Sequence, residues 1–233
     1  MNQIGTVKKM TFFNFIFLLI AGIHCLQIVV SHKIGSESND LPHGQSSPWI
    51  PGADYITQCD FNDNSRPFCN WVQPCLEDSG EWIRTKHGTP TLGTGPEEDY
   101  PSGDLGGYFI YQEASNFVPS DFIRLESQNI SVSGEICIDF WYHMLGTENV
   151  NKLKVLVKED TSEKMVWSKS GNQGSTWLYA SVTVPFPTES RIKVIFEAIR
   201  GLTEYGDTAI DNIAVRRGAC DSGNISQNHK IIQ

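Results

Sequence analysis

The chain has 233 residues, 39 % of them hydrophobic, with 27 acidic against 18 basic side chains and a formal charge of −9. That length buries the core of one sizeable domain or of two small ones. The negative balance excludes the basic stripe with which a nucleic-acid binder displaces counterions from phosphate, and it disfavours docking on an anionic membrane.

Met1 to about Leu26 reads as a targeting signal, residues 1–25 of which are expected to be removed. Lys8 and Lys9 make the positive start and Phe12 to Ile23 the apolar stretch. Ala21, Gly22 and Cys25 are the short residues near a cleavage point placed between Cys25 and Ser31. Retention as an anchor is the alternative, but Asn14, His24 and Gln27 interrupt the apolar run before membrane length. Residues 26–58 follow as a flexible segment: His32 to Gln58 is rich in Ser, Pro, Gly, Asp and Asn and buries too little apolar surface to offset its ordering entropy. Residues 221–233 form a polar tail without the hydrophobic run that a lipid-anchor signal needs. The expected product is secreted and extracellular, with no membrane insertion once the signal is gone.

Order is expected from Cys59-Asp60-Phe61 onward, in one domain over residues 59–220. The predicted strands are Tyr108 to Ala114, Phe122 to Leu125, Ile136 to Met144, Leu153 to Glu159, Thr176 to Val184, Ile192 to Ala198 and Ala209 to Val215. In the third, Ile138, Phe140, Tyr142 and Met144 alternate with Cys137, Asp139, Trp141 and His143, which puts one set in a core and leaves the other half-covered. Leu153, Val155 and Val157 alternate with lysines, and Ile192, Val194, Phe196 and Ala198 alternate with Arg191, Lys193 and Glu197, giving a core face and a wet face. No stretch carries a capped amphipathic helix. The expected fold class is therefore all-β, a sandwich of two antiparallel sheets.

Six cysteines in a secreted chain imply disulfides, but Cys25 leaves with the signal and five remain. Connectivity stays open on sequence alone, with proximity favouring Cys59 paired to Cys69 or Cys75. Asn129-Ile130-Ser131 and Asn224-Ile225-Ser226 are N-glycosylation sequons in polar surroundings. Catalytic searches find no Gly-x-Ser-x-Gly elbow, no His-Glu-x-x-His and no phosphate-cradling loop. His143 reads as a structural histidine, and Glu97, Glu98 and Asp99 as a solvated acidic loop. Asp211 differs, because alternation sets it with Ala209, Ile213 and Val215, where a bare charge is costly. It must be hydrogen-bonded, paired or bound to a cation. Asp60 or Asp207, at the two ends of the domain, is the companion for a structural calcium site, and no other cofactor is required.

Cys59-Asp60-Phe61 with Cys69-Asn70-Trp71, Gly107-Tyr108-Phe109-Ile110-Tyr111-Gln112-Glu113-Ala114-Ser115 and Phe140-Trp141-Tyr142-His143-Met144-Leu145-Gly146 carry a family resemblance. Gly171-Asn172-Gln173-Gly174 with Trp177, Phe196-Glu197-Ala198-Ile199-Arg200-Gly201, and Gly206-Asp207-Thr208-Ala209-Ile210-Asp211-Asn212-Ile213 before Cys220 complete it. Together, in this order, they resemble the MAM domain, the extracellular module named after meprins, a neuropilin antigen and mu-type receptor tyrosine phosphatases. The resemblance implies a jelly-roll-like sandwich, a noncatalytic role in adhesion or association, and disulfides Cys59–Cys69 and Cys137–Cys220. Cys75 is then left over, and an intermolecular disulfide through it is expected to make a homodimer. This chain has Asn62 where the family usually has Glu, Asn70 where it has Gly and Asn212 where it has Asp, and the two lost carboxylates weaken any family cation site.

The expected function is that of a secreted noncatalytic glycoprotein, an adhesion or protein–protein interaction module. Its partners would be extracellular or cell-surface proteins, itself among them, read by loops such as Thr89 to Asp104. The alternatives are a lectin that stacks sugar rings on Trp167 or Trp177, and a glycosidase with paired carboxylates.

Overall fold

The computed structural model describes residues 49–100, 107–147 and 150–220. They contain ten strands: β1 (Tyr55–Cys59), β2 (Trp71–Val72), β3 (Ile83–Thr85), β4 (Phe109–Gln112), β5 (Phe122–Ser127), β6 (Ile130–Gly146), β7 (Lys152–Glu159), β8 (Ser162–Ser170), β9 (Leu178–Ile199) and β10 (Gly206–Arg217). A single 3-10 turn, Ala114–Asn116, follows β4.

Two antiparallel layers share β9. Its second half, Ile192–Ile199, lies between β5 and β7, with β2 outside β5 and β8 outside β7, and this layer is sheet A. Its first half pairs with β6, from Leu178 opposite Tyr142 to Phe186 opposite Gly134. The other edge of β6 holds β10, which carries β4 and then β1 along its far side, with β3 outside β4; this layer is sheet B. The pattern of Thr176 to Val184 and Ile192 to Ala198 points to two strands, yet the chain makes one strand of 22 residues. Between the Gly134–Phe186 and Val132–Ser190 pairs β9 advances further than β6, so surplus residues bend β9 from one sheet into the other instead of ending it. Pro185 and Pro187 sit at that bend, where a lost N–H donor costs least.

The central strand alternates as expected. Ile136, Ile138, Phe140, Tyr142 and Met144 enter the core between the sheets, and Cys137, Asp139, Trp141 and His143 take the outer face of sheet B. Aromatic rings join the layers: Phe140 of sheet B lies edge-on at 5.0 Å to Phe196 and at 5.0 Å to Trp167, both of sheet A. Cys59 is bonded to Cys69 and Cys137 to Cys220, the pairings that the family resemblance implies. The sandwich also begins earlier than Cys59. β1 takes Tyr55 to Gln58 from the segment expected to be flexible, and pairs them with Ala214 to Arg216 of β10. The Trp49 ring then packs on Tyr55 at 5.8 Å, and the Tyr55 hydroxyl accepts a 2.7 Å hydrogen bond from the Ile50 N–H. Strand pairing, which composition does not report, orders these polar residues.

Candidate functional site: a loop-built end of the sandwich

All of β10 except Arg217 is buried, because the core covers one face and other chain segments cover the other. Asp211 opposes Trp141 and Ala214 opposes Asp139, so β10 holds one surplus residue there, a bulge in which Asn212 adopts a φ of 47°. Asn tolerates that left-handed conformation better than most residues. The bulge shifts the alternation: Ile210, Ile213 and Val215 point into the core, while Ala209 packs outside with Phe109 and Tyr111. Asp211 therefore does not share the face of Ile213 and Val215, as strict alternation predicts.

On that outer face Asp211 anchors a long segment. Its carboxylate accepts the Tyr100 N–H at 3.0 Å and the Asn212 N–H at 2.6 Å, and the Asn212 side-chain amide donates to the Tyr100 carbonyl at 2.8 Å. A carboxylate at 212 could not make the last bond while ionised. The Tyr100 ring stacks on Trp141 at 3.4 Å. Further along, Asp207 accepts the Thr94 hydroxyl at 2.7 Å and the Ala114 N–H at 2.9 Å, Glu113 accepts the Thr91 hydroxyl, and the Trp177 indole donates to the Glu98 carbonyl. A Cβ at Gly107 would meet the buried Asp99 carboxylate, so any larger residue there displaces that group. Burial raises the Asp211 carboxyl well above the ordinary range, with Asp99 and Asp60 adding to the rise against the pull of the two N–H donors. Burial raises Asp207 too, offset in part by its bonds from Ala114 and Thr94.

This anchoring builds one end of the molecule from loops. Arg200 ties two of them: its N–H bonds the Asp121 carbonyl, its carbonyl accepts from Ser120, and its guanidinium bonds the Ala114 carbonyl at 3.0 Å. The Asn151 amide bonds the Gly206 carbonyl at 3.1 Å, and Gly146 passes so close to the Tyr205 carbonyl that a Cβ would clash. Onto this rigid frame the loops project Leu92, Val118, Val150, Leu202 and Tyr205, between 45 % and 93 % exposed. Sequence reasoning missed the roles of Thr94 and Asn151, which carry no motif, and of Arg200, whose segment carries the family resemblance but gives no sign of its loop-tying bonds.

The other expected site residues are placed differently. Asp207 lies about 13 Å from Asp211 along β10 at the usual strand rise and is bonded to its own donors, whereas Asp60 and Asp99 are near enough to Asp211 to raise its carboxyl further. No group of three metal-ligating side chains assembles among the described residues. Cys75 is disulfide-bonded and so is not the spare thiol that the linked homodimer requires; Cys25 lies outside the described residues. Trp167 is half-buried against the core, edge-on to Phe140 at 5.0 Å, and Trp177 is half-buried against Phe109 at 5.7 Å and His143 at 5.6 Å. Thr94, Gly95 and Pro96 are buried, so Thr89 to Tyr100 is an anchored strap and not a solvated loop; 101–106 lie outside the described residues. Asn129 is exposed, and Asn224 also lies outside them.

A two-sheet jelly roll braced by a short-loop and a long-loop disulfide defines a small disulfide-stabilised β module. The match to the family model "MAM domain, meprin/A5/mu" over residues 59–221 goes further: the chain belongs to the MAM domain family. It is 34 % identical over 175 residues to mouse zonadhesin, covering 74 % of this chain and 3 % of that protein. It is 35 % identical over 164 residues to zebrafish neuropilin-1a, covering 67 % of this chain and 17 % of the relative. The chain thus spans a small part of these relatives' length. Among solved structures, the K3 cleaved adhesin domain of Lys-gingipain from Porphyromonas gingivalis superposes with a TM-score of 0.48 at 14 % identity, covering 72 % of this chain and all of that domain.

Proposed function

We propose that the chain acts as a secreted, noncatalytic adhesion or protein–protein interaction module that engages extracellular or cell-surface proteins through the loop-built end. One observation carries this reading: five of the eight exposed large apolar side chains among the described residues, Leu92, Val118, Val150, Leu202 and Tyr205, lie on loops that buried polar groups tie down. Exposed apolar residues on a preorganised frame suit a protein partner, because little ordering entropy remains to be lost on binding. The names of the relatives zonadhesin and neuropilin-1a agree with such a role. No helix among the described residues is long and apolar enough to cross a membrane, which suits a secreted product.

The test is binding of the purified secreted chain to cell surfaces, comparing wild type with Val118→Asp/Leu202→Asp/Tyr205→Ser. Binding should fall at least about tenfold, as for loss of interface anchors, with an unchanged melting temperature. Equal binding by the triple variant would reject this end as the interface. Loss of binding after glycans are stripped from the cells would replace the protein-binding reading with a lectin.

A further inference from the structure

A cleft of about 470 Å³ opens at the opposite end of sheet A, where Val72 ends β2 and Pro74 follows it, Glu126 is next to last in β5, and Arg191 and Lys193 flank the start of the second half of β9. Asn129 lines the same cleft. It is exposed in the turn between β5 and β6, and Ser131, the hydroxyl residue of its sequon, is exposed and paired across the strands with Arg191.

Glu126 is the unusual group. It is only 5 % exposed; its Oε2 accepts Lys193 Nζ at 2.7 Å, but its buried Oε1 accepts no hydrogen bond. A buried carboxylate oxygen without a donor is unfavourable, and Glu126 is one of the residues that line the cleft. Val72, 51 % exposed, and Pro74 give the same cleft an apolar wall. The rest of the lining is polar or charged, with Gln128, Lys158, Arg191 and Lys193 around Glu126, so hydrogen-bonding groups stand beside a small apolar face.

We propose that this cleft seats the first N-acetylglucosamine of an oligosaccharide carried by Asn129. Glu126 turns Oε1 out to accept from a sugar hydroxyl or the acetamido N–H, and the pyranose C–H face lies on Val72 and Pro74. Attachment joins the Asn129 amide nitrogen to the anomeric carbon of a sugar carried on a lipid diphosphate; the amide gives up a proton and the lipid diphosphate leaves. A single such contact would hold a free monosaccharide weakly, but a sugar tethered at the rim has a high effective concentration there. The glycan is then fixed against the short edge strand β2, away from the loop-built end.

The test compares three forms of the chain from eukaryotic secretory cells: fully glycosylated, trimmed by endoglycosidase to one N-acetylglucosamine, and Asn129→Gln, which leaves the Asn224 sequon intact. Glycopeptide mass should show Asn129 occupied. Amide exchange at Val72, Glu126 and Ser127 should be about tenfold slower in both glycosylated forms than in Asn129→Gln, the scale of one hydrogen bond to a charged group. Glu126→Ala should abolish that slowing, and so should Val72→Asp, whose exposed position spares the fold. An unoccupied Asn129, equal exchange in the three forms, or slowing that survives in both variants would overturn the proposal.

Discussion

On the outer face of sheet A, Glu197 lies between Arg124 on β5 and Lys154 on β7, each directly opposite it, and bonds both at 2.7 and 2.9 Å. On the outer face of sheet B, Asp211 lies under the Thr89–Tyr100 strap and bonds only backbone N–H groups. Both carboxylates are buried, at 4 % and 1 % exposure. Sheet A covers its carboxylate with the stems of long cations whose heads reach solvent, and the ion pairs extend through Glu163 to Lys158. Sheet B covers its carboxylate with chain, and Asp211 responds by a raised pKa. The first arrangement stabilises a surface, and the second fastens a strap that frames the loop-built end.

Breaking sheet B's cover should cost more than breaking sheet A's. The Cys137–Cys220 bond fastens the chain after β10 to the outer face of sheet B and joins residues 83 apart. Its replacement by two serines is expected to cost about 4 kcal/mol in the chain-entropy model, measured by denaturant unfolding. Asp211→Ala leaves the N–H groups of Tyr100 and Asn212 without acceptors, a loss of about 3 kcal/mol. The same variant should expose the strap to proteolysis before the remainder unfolds.

The contrast between the sheets also explains what could be read from sequence. β6 and β7 declared themselves because one face meets the core and the other meets a different environment, so residue type alternates. β10 is buried on both faces and carries a bulge, so counting by twos assigns Asp211 to the wrong side. The strap was legible as a loop from its Gly and Pro content. Its burial was not, because its acceptors Asp207 and Asp211 lie more than a hundred positions along the chain from Thr94 and Tyr100. β1, β2 and β3 have five residues or fewer, and β8 is an edge strand; such elements are held by pairing and carry little hydrophobic period. The disulfide pairing became legible only through family resemblance, since five cysteines permit several arrangements.

On sheet A, Glu197→Ala should cost about 2 kcal/mol, less than Asp211→Ala, because Arg124 keeps Glu163 as a partner and Lys154 can turn to solvent. A Glu197→Gln variant sharpens the comparison by keeping the volume and removing the charge. A loss equal to that of Asp211→Ala would show that the ion pairs, and not the strap, dominate.

His143 supplies a pH-dependent difference between the two faces. It is buried on the outer face of sheet B against Trp177, and burial lowers its pKa below 6.5, partly offset by a hydrogen bond with the Ser175 backbone. The unfolded chain then binds a proton more readily than the folded one. Stability is complete above about pH 6.5 and falls as pH drops through the folded pKa. His143→Gln should flatten that limb in melting temperature against pH, and an unchanged slope would assign it to the carboxylates.

Glu163→Gln should have the smallest effect. Glu163 is the outermost member of the sheet A network, with 27 % of its side chain exposed, and it accepts both terminal guanidinium nitrogens of Arg124 at 3.0 Å. The Arg124 hydrogen bond lowers its pKa below 4.5, against a burial effect that raises it. The folded state thus releases this proton more readily than the unfolded one, so the contribution is present above about pH 4.5 and lost as pH falls through the folded pKa. Solvent screens a pair at this depth, and exposed ion pairs contribute about 0.5 kcal/mol. The expected change is therefore near that value at neutral pH and vanishes in molar salt, where the Debye length shrinks to about 3 Å. Glu197→Gln should keep most of its loss under the same salt, because its charges are shielded from the ions. If both losses vanish together, the outer face of sheet A is wetter than its side-chain packing implies.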